Sequence, residues 1–121
     1  MKRVMTAVLC VSLFGTFPAL AESDWTEFCS DSQAGVTFFY SPGSAGHNGS
    51  YATAKWHDTN HPELVFTAQI ECSARTIENL AVDRYDQNGS FIETVDLRNQ
   101  AAPQPIGPDY SMGAKLAQAI C

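Results

Sequence analysis

Two imidazoles and a carboxylate fall within five residues at His57-Asp58-Thr59-Asn60-His61, a dense set of metal-ligand side chains in this 121-residue chain. His-x-x-x-His grips zinc when it lies on a helix, because positions i and i+4 then share a face. Asn60 and Pro62 argue for a loop instead, and no distant third ligand declares itself. A polar hairpin tip explains the same residues. The sequence therefore implies no metal and no cofactor. Nucleophilic catalysis has no better support. Serines, aspartates and three histidines are present, but no Gly-x-Ser-x-Gly turn accompanies them. Cys29 could act as a thiol beside a histidine. A left-over cysteine in an exported chain is more often a small buried hydrophobe or an intermolecular bridge. Acidic pairs such as Glu71 with Glu78, or Asp83 with Asp86, read as solvated strand ends. With no catalytic set in view, the expectation is a protein that is not an enzyme.

Asn48-Gly-Ser50 and Asn88-Gly-Ser90 fit the glycosylation acceptor pattern. Each also contains the Asn-Gly that tight turns favour for backbone reasons, and the turn reading is preferred. What remains is recognition by aromatic contact. Trp25, Tyr51, Trp56 and Tyr110 are the candidates for a binding face, with Trp25, Tyr51 and Trp56 lying on or beside strands. The alternative is that they complete the core.

The elements that must position these residues begin after a leader. Lys2 and Arg3 give a positive start, an apolar run extends from Val4 to Phe17, and the stretch closes Pro18-Ala19-Leu20-Ala21. That pattern predicts a signal peptide over residues 1–21, cleaved before Glu22, and hence an exported protein. The run is short of the ~20 apolar residues of a membrane span, and Cys10 follows Leu9 where a lipid-attachment site would want a small residue. The expectation is no membrane span. Residues 22–121 then form one domain.

The chain carries a net charge of −6. Without Lys2 and Arg3, five basic residues face 13 acidic ones, a net of −8. Such a surface repels phosphate backbones and anionic lipids, so no nucleic-acid partner is expected.

Aromatic and β-branched runs separated by turn signals predict strands at Trp25–Cys29, Val36–Tyr40, Tyr51–His57 and Leu64–Cys72. Ser41–Ser50 and Asp58–Pro62 read as loops. Asn88-Gly89 predicts a two-residue type I′ turn, in which opposed residue numbers sum to 177. Leu80 then faces Leu97, Val82 faces Val95 and Arg84 faces Glu93, with Asp83 opposite Thr94 and Tyr85 opposite Ile92 on the other side. The prolines at 103, 105 and 108 mark Asn99–Asp109 as a connector. Asp109 or Ser111 can cap a final helix with an apolar stripe at Met112, Leu116, Ala119 and Ile120. The fold class is α+β: about six antiparallel strands with one C-terminal helix packed on one face.

Cys29, Cys72 and Cys121 remain after the leader, so three pairings are open. Residues 64, 66, 68, 70 and 72 are apolar and 67, 69 and 71 polar, which turns Cys72 toward the core. Cys121 ends the helix that would lie on that face. Cys72–Cys121 is the favoured bond, closing a loop worth ~4 kcal/mol in the chain-entropy model.

The order of these pieces resembles the bacterial surface-adhesin protein E family. The matching features are Trp25, Gly35-Val-Thr-Phe-Phe-Tyr-Ser-Pro42, the Trp56 strand, Ile70-Glu-Cys72-Ser-Ala-Arg75, Tyr85-Asp-Gln-Asn-Gly89, Ile106-Gly-Pro108-x-x-Ser111 and the terminal Cys121. The resemblance implies a small secreted sheet domain whose C-terminal helix is tied back by a disulfide. It also implies a host-binding surface protein able to dimerise through its sheet. Pro105 stands where the family often has a nearby tryptophan, and Cys29 is an addition. The family's host-binding residues have no matching positions in this chain.

The functional expectation is thus an exported, non-enzymatic protein-binding domain, periplasmic or at the cell surface, which can also form a homodimer. The alternative is a periplasmic inhibitor of an exogenous enzyme of the lysozyme or toxin type, whose acidic surface would suit a basic target. Steep loss of on-rate with salt separates the second reading from the first.

Overall fold

The computed structural model describes residues 25–121. The leader and its cleavage site lie outside the described residues. Eight strands precede one helix: β1 (Thr26–Asp31), β2 (Val36–Tyr40), β3 (Gly46–Asn48), β4 (Tyr51–Asp58), β5 (Leu64–Glu71), β6 (Thr76–Tyr85), β7 (Phe91–Asp96), β8 (Gln104–Pro105) and α1 (Met112–Ile120). The main path of the antiparallel sheet runs β1-β2-β4-β5-β6-β7. These are the six strands expected. The two additions are short, and both lie in segments that read as loops. Gly46–Asn48 pairs with the start of β4, and Gln104–Pro105 pairs with the start of β6. Pro105 can sit there because an edge position needs no donor on its outer side.

These additions divide the sides of two strands. β2 pairs with Trp56 to Asp58 of β4 and β3 with Tyr51 to Thr53, leaving Ala54 and Lys55 between them. A 3-10 turn at Pro42–Ser44 closes that gap. The Ser41 amide donates to the Lys55 carbonyl (2.9 Å), and the Lys55 amide donates to Ser44 Oγ (2.8 Å). On β6 the corresponding gap falls at Glu78 and Asn79. There β8 ends its pairing at Ile77, and β7 last bonds through the Leu97 amide to the Leu80 carbonyl (2.9 Å).

Strand parity gathers the main core cluster on one face, while Val65, of opposite parity on β5, is buried on the other. Ala52, Ala54 and Trp56 of β4 lie opposite Ile70, Ala68 and Phe66 of β5; the first five belong to the cluster that includes Leu116, Ala117 and Ile120, and half-buried Phe66 packs against it. The three alanines leave room for the helix to approach the sheet. Gly113 lets the helix approach the connector that follows β8, since a Cβ there would stand 3.1 Å from the Ile106 carbonyl oxygen. Ser111 caps α1 by accepting from the Ala114 amide at 3.2 Å. The buried stripe is Ala114, Leu116, Ala117 and Ile120. Ala119, expected inside, is exposed, and Ala117, two residues nearer the N-terminus, is buried in its place. Cys72 and Cys121 are bonded, with Cα atoms 6.0 Å apart. Cys29 is free and half-buried on β1.

The hairpin register is as expected for Val82 opposite Val95, Asp83 opposite Thr94 and Arg84 opposite Glu93. Its tip differs. Only Gly89 takes positive φ there (81°), and its amide donates to the Asp86 carbonyl (3.0 Å). The loop therefore holds three residues, with glycine in the left-handed position, instead of a two-residue type I′ turn. Tyr85 consequently faces Phe91, and a bulge restores the 177 sum at Arg84. The extra residue of that bulge is Ile92. Asp86 Oδ1 fixes the loop by accepting from the amides of Asn88 and Ser90, both at 2.9 Å.

Candidate functional site

The proposed aromatic face does not assemble as a unit. Trp56 is 6 % exposed and lies in the core, stacked on Phe66 with ring centroids 4.7 Å apart. Its indole N–H donates to Asn79 Oδ1 at 3.0 Å. The reason is parity: Tyr51 and Trp56 are five residues apart on one strand, so their side chains leave opposite faces. Tyr51 is 44 % exposed on the face away from α1. Trp25 packs edge-on against His57, centroids 4.5 Å apart. Tyr51 and His57 are six residues apart on β4, ~20 Å at strand spacing. Tyr110 is 81 % exposed, in the segment before α1.

The residues that read as metal ligands are occupied otherwise. His57 is buried between Trp25 and Phe39, stacked on Phe39 at 5.3 Å. Burial in that sandwich lowers its pKa from the usual histidine range, against smaller opposing effects of the Asp58 carbonyl and carboxylate. Asp58 Oδ1 accepts from the amides of Asn60 and His61, both at 2.9 Å, and so shapes the turn. His61 is exposed, its Nδ1 3.9 Å from Glu63 Oε2. Among the described residues no group of three His, Cys, Asp or Glu side chains is placed to hold a metal ion.

Glu71 also has a local task. Its carboxylate accepts from the Ser50 hydroxyl and from the Ala74 amide (2.8 Å), which together hold its pKa below the usual carboxylate range. It joins the β3–β4 turn to the β5–β6 turn. Gly49 there has φ +65° and precedes Ser50, as a type II′ turn requires.

The apolar exposure lies at the far end of the β6–β7 hairpin. Phe91 is 56 % exposed and Ile92 50 %. Tyr85 packs edge-on against Phe91 with centroids 5.8 Å apart. Beside them Asp83 accepts from Thr94 Oγ1 at 2.7 Å and pairs with Lys55 at 3.3 Å. Tyr85 is held partly desolvated near Asp83, which raises its pKa. β7 pairs only with β6 among the described residues, so its outer edge is open. Sequence reasoning missed Phe91 and Ile92 because it paired Ile92 with Tyr85. The signal was Phe91-Ile92 itself, two large apolar residues in succession on a strand where alternation would place only one inward.

A concavity sits at the β6 gap. It is a cleft of about 320 Å³ whose lining includes Ile77, Asn79, Leu97, Ala101, Gln104 and Met112. No helix of the described residues is long and apolar enough to cross a membrane. No protein-family model, curated protein or solved structure matches the chain.

Proposed function

We propose that the chain is an exported, non-enzymatic protein-binding domain, periplasmic or at the cell surface, whose contact surface is the outer end of the β6–β7 hairpin. The observation that carries this reading is the pairing of Phe91 and Ile92 in solvent on an open sheet edge. Apolar side chains rimmed by polar groups mark contact sites. Rigidity supports the same reading, because the Asp86 loop and the Arg84–Glu93 ion pair hold the hairpin end before any partner arrives. The order of motifs, similar to that of the surface-adhesin protein E family, supports export and display. A second copy of the chain is one candidate partner.

Capture by the immobilised protein from envelope extract and from host matrix tests the reading, with sedimentation of the free protein alongside. The expected result is a retained protein or a concentration-dependent dimer, lost in Phe91→Ser/Ile92→Ser. A folded wild type that stays monomeric and retains nothing would overturn it. The acidic excess of −6 favours one second reading, an inhibitor of a basic enzyme. That reading expects the on-rate to fall steeply with salt, whereas an aromatic contact changes little.

A further inference from the structure

The two gaps in the sheet are the same length and are treated differently. At β4, Ser41 and Ser44 supply a donor and an acceptor to Lys55, so the turn takes the place of the missing strand. At β6, among the described residues, none from Arg98 to Pro103 hydrogen-bonds to Glu78 or Asn79. The connector stands off instead and leaves the cleft of about 320 Å³, a size at the lower end of small-molecule sites.

The lining has a definite chemistry. Ile77, Leu97 and Met112 give it apolar walls, and Asn79, Gln100 and Gln104 contribute three uncharged carboxamides. The amide of Asn79 has a fixed orientation. An indole N–H is a donor only, so the atom it meets at 3.0 Å is the Asn79 oxygen. Asn79 Nδ2 is therefore the end left over, and it makes no hydrogen bond to any described residue. Trp56 is buried, so the core itself sets the direction of this donor. Glu78 is the sole charged residue of the lining, and an acid there disfavours an anionic guest.

We propose that the β6 gap is a binding site for a small uncharged molecule carrying a branched apolar group next to a carboxamide, a short acyl amide. Its hydrocarbon end would lie among Ile77, Leu97 and Met112. Its carbonyl oxygen would accept from Asn79 Nδ2, and its own N–H groups would find the glutamine carbonyls. The site stands apart from the protein contact at the hairpin end, since Asn79 and Tyr85 are six residues apart on β6.

Isovaleramide is the probe, with isovalerate as the anion of the same skeleton. Both are titrated into the labelled protein while the side-chain amide of Asn79 and the methyls of Ile77, Leu97 and Met112 are followed by NMR. The expected result is saturable shifts at these groups with isovaleramide, with a dissociation constant on the order of 1 mM or weaker for so few atoms. Isovalerate should bind at least about tenfold more weakly. Asn79→Asp keeps an acceptor for Trp56 but removes the donor, and should weaken isovaleramide about tenfold, the worth of one hydrogen bond. Ala101→Phe fills the cleft from the exposed connector and should abolish the shifts with unfolding unchanged. Absence of saturable shifts in wild type, equal binding of isovalerate, or undiminished binding by a folded Asn79→Asp or Ala101→Phe would overturn the proposal. None of these results depends on whether the hairpin end captures a protein.

Discussion

The half of the sheet around β4 fills the gap in its backbone pairing, and the half around β6 and β7 leaves its gap unfilled. Over β4 lie the helix, the three alanines that admit it and the 3-10 turn that completes the backbone pairing of Lys55. Around β6 the sheet has an unfilled gap at Glu78 and Asn79, an open edge on β7, and Phe91 and Ile92 in solvent. Closure costs the chain only a serine-bearing turn at β4, so an unfilled gap at β6 is a property of this chain rather than of sheets in general. The difference separates what folds the domain from what is left available for contact, and Trp56 marks the border, buried on one side and bonded to Asn79 on the other.

If that division is right, substitutions should sort by half. Trp56→Ala should cost the most, ~3–5 kcal/mol, because it opens a large cavity and leaves the Asn79 oxygen without its donor; urea unfolding measures it. Cys121→Ser should follow at ~2–5 kcal/mol, since the bond to Cys72 ties α1 to the end of β5 across a separation of 49 residues. Calorimetry that found the midpoint unchanged would mean packing alone holds the helix. Ser44→Ala removes the acceptor that stands in for a strand and should cost ~1 kcal/mol. Ala101→Ser at the other gap should cost nothing measurable by the same urea titration, and equal losses would erase the contrast between the gaps.

A further effect should appear as a pH dependence. His57 is held neutral in the native state, with its pKa lowered by burial. The unfolded chain takes up a proton that the native ring refuses. Stability is therefore full above the unfolded value of about 6.5 and falls as pH drops below it. His57→Phe should flatten that decline in midpoints measured between pH 5 and 8. A decline that persists unchanged would assign it to other groups.

Much of the fold was legible in the residues. Alternation in Leu64–Cys72 placed Cys72 toward the core and so found the disulfide. Opposed charges and apolar pairs give the register at Arg84 and Glu93, although the tip holds three residues where Asn88-Gly89 predicts two. The error there cancelled because Gly89 lengthened the loop by one residue and the Ile92 bulge added one back. Parity could have told Tyr51 from Trp56, and Ala52 and Ala54, within that strand on the Trp56 face, already indicated which face a helix would approach. The short strands β3 and β8 had no signal, because two or three pairs depend on the neighbouring strand and not on local preference. The cleft was invisible for a related reason: Asn79, Ala101 and Met112 come from three segments whose meeting only the fold decides.

The two halves are compared most directly by one pair of proteins, wild type and Phe91→Ser/Ile92→Ser, each unfolded in urea and each immobilised for capture from envelope extract. The expected result is an unfolding free energy within ~0.5 kcal/mol of wild type, as for surface substitutions, with loss of the proteins that wild type retains. A variant that unfolds, or one that retains the same proteins as wild type, would contradict the division into a half that folds and a half that binds.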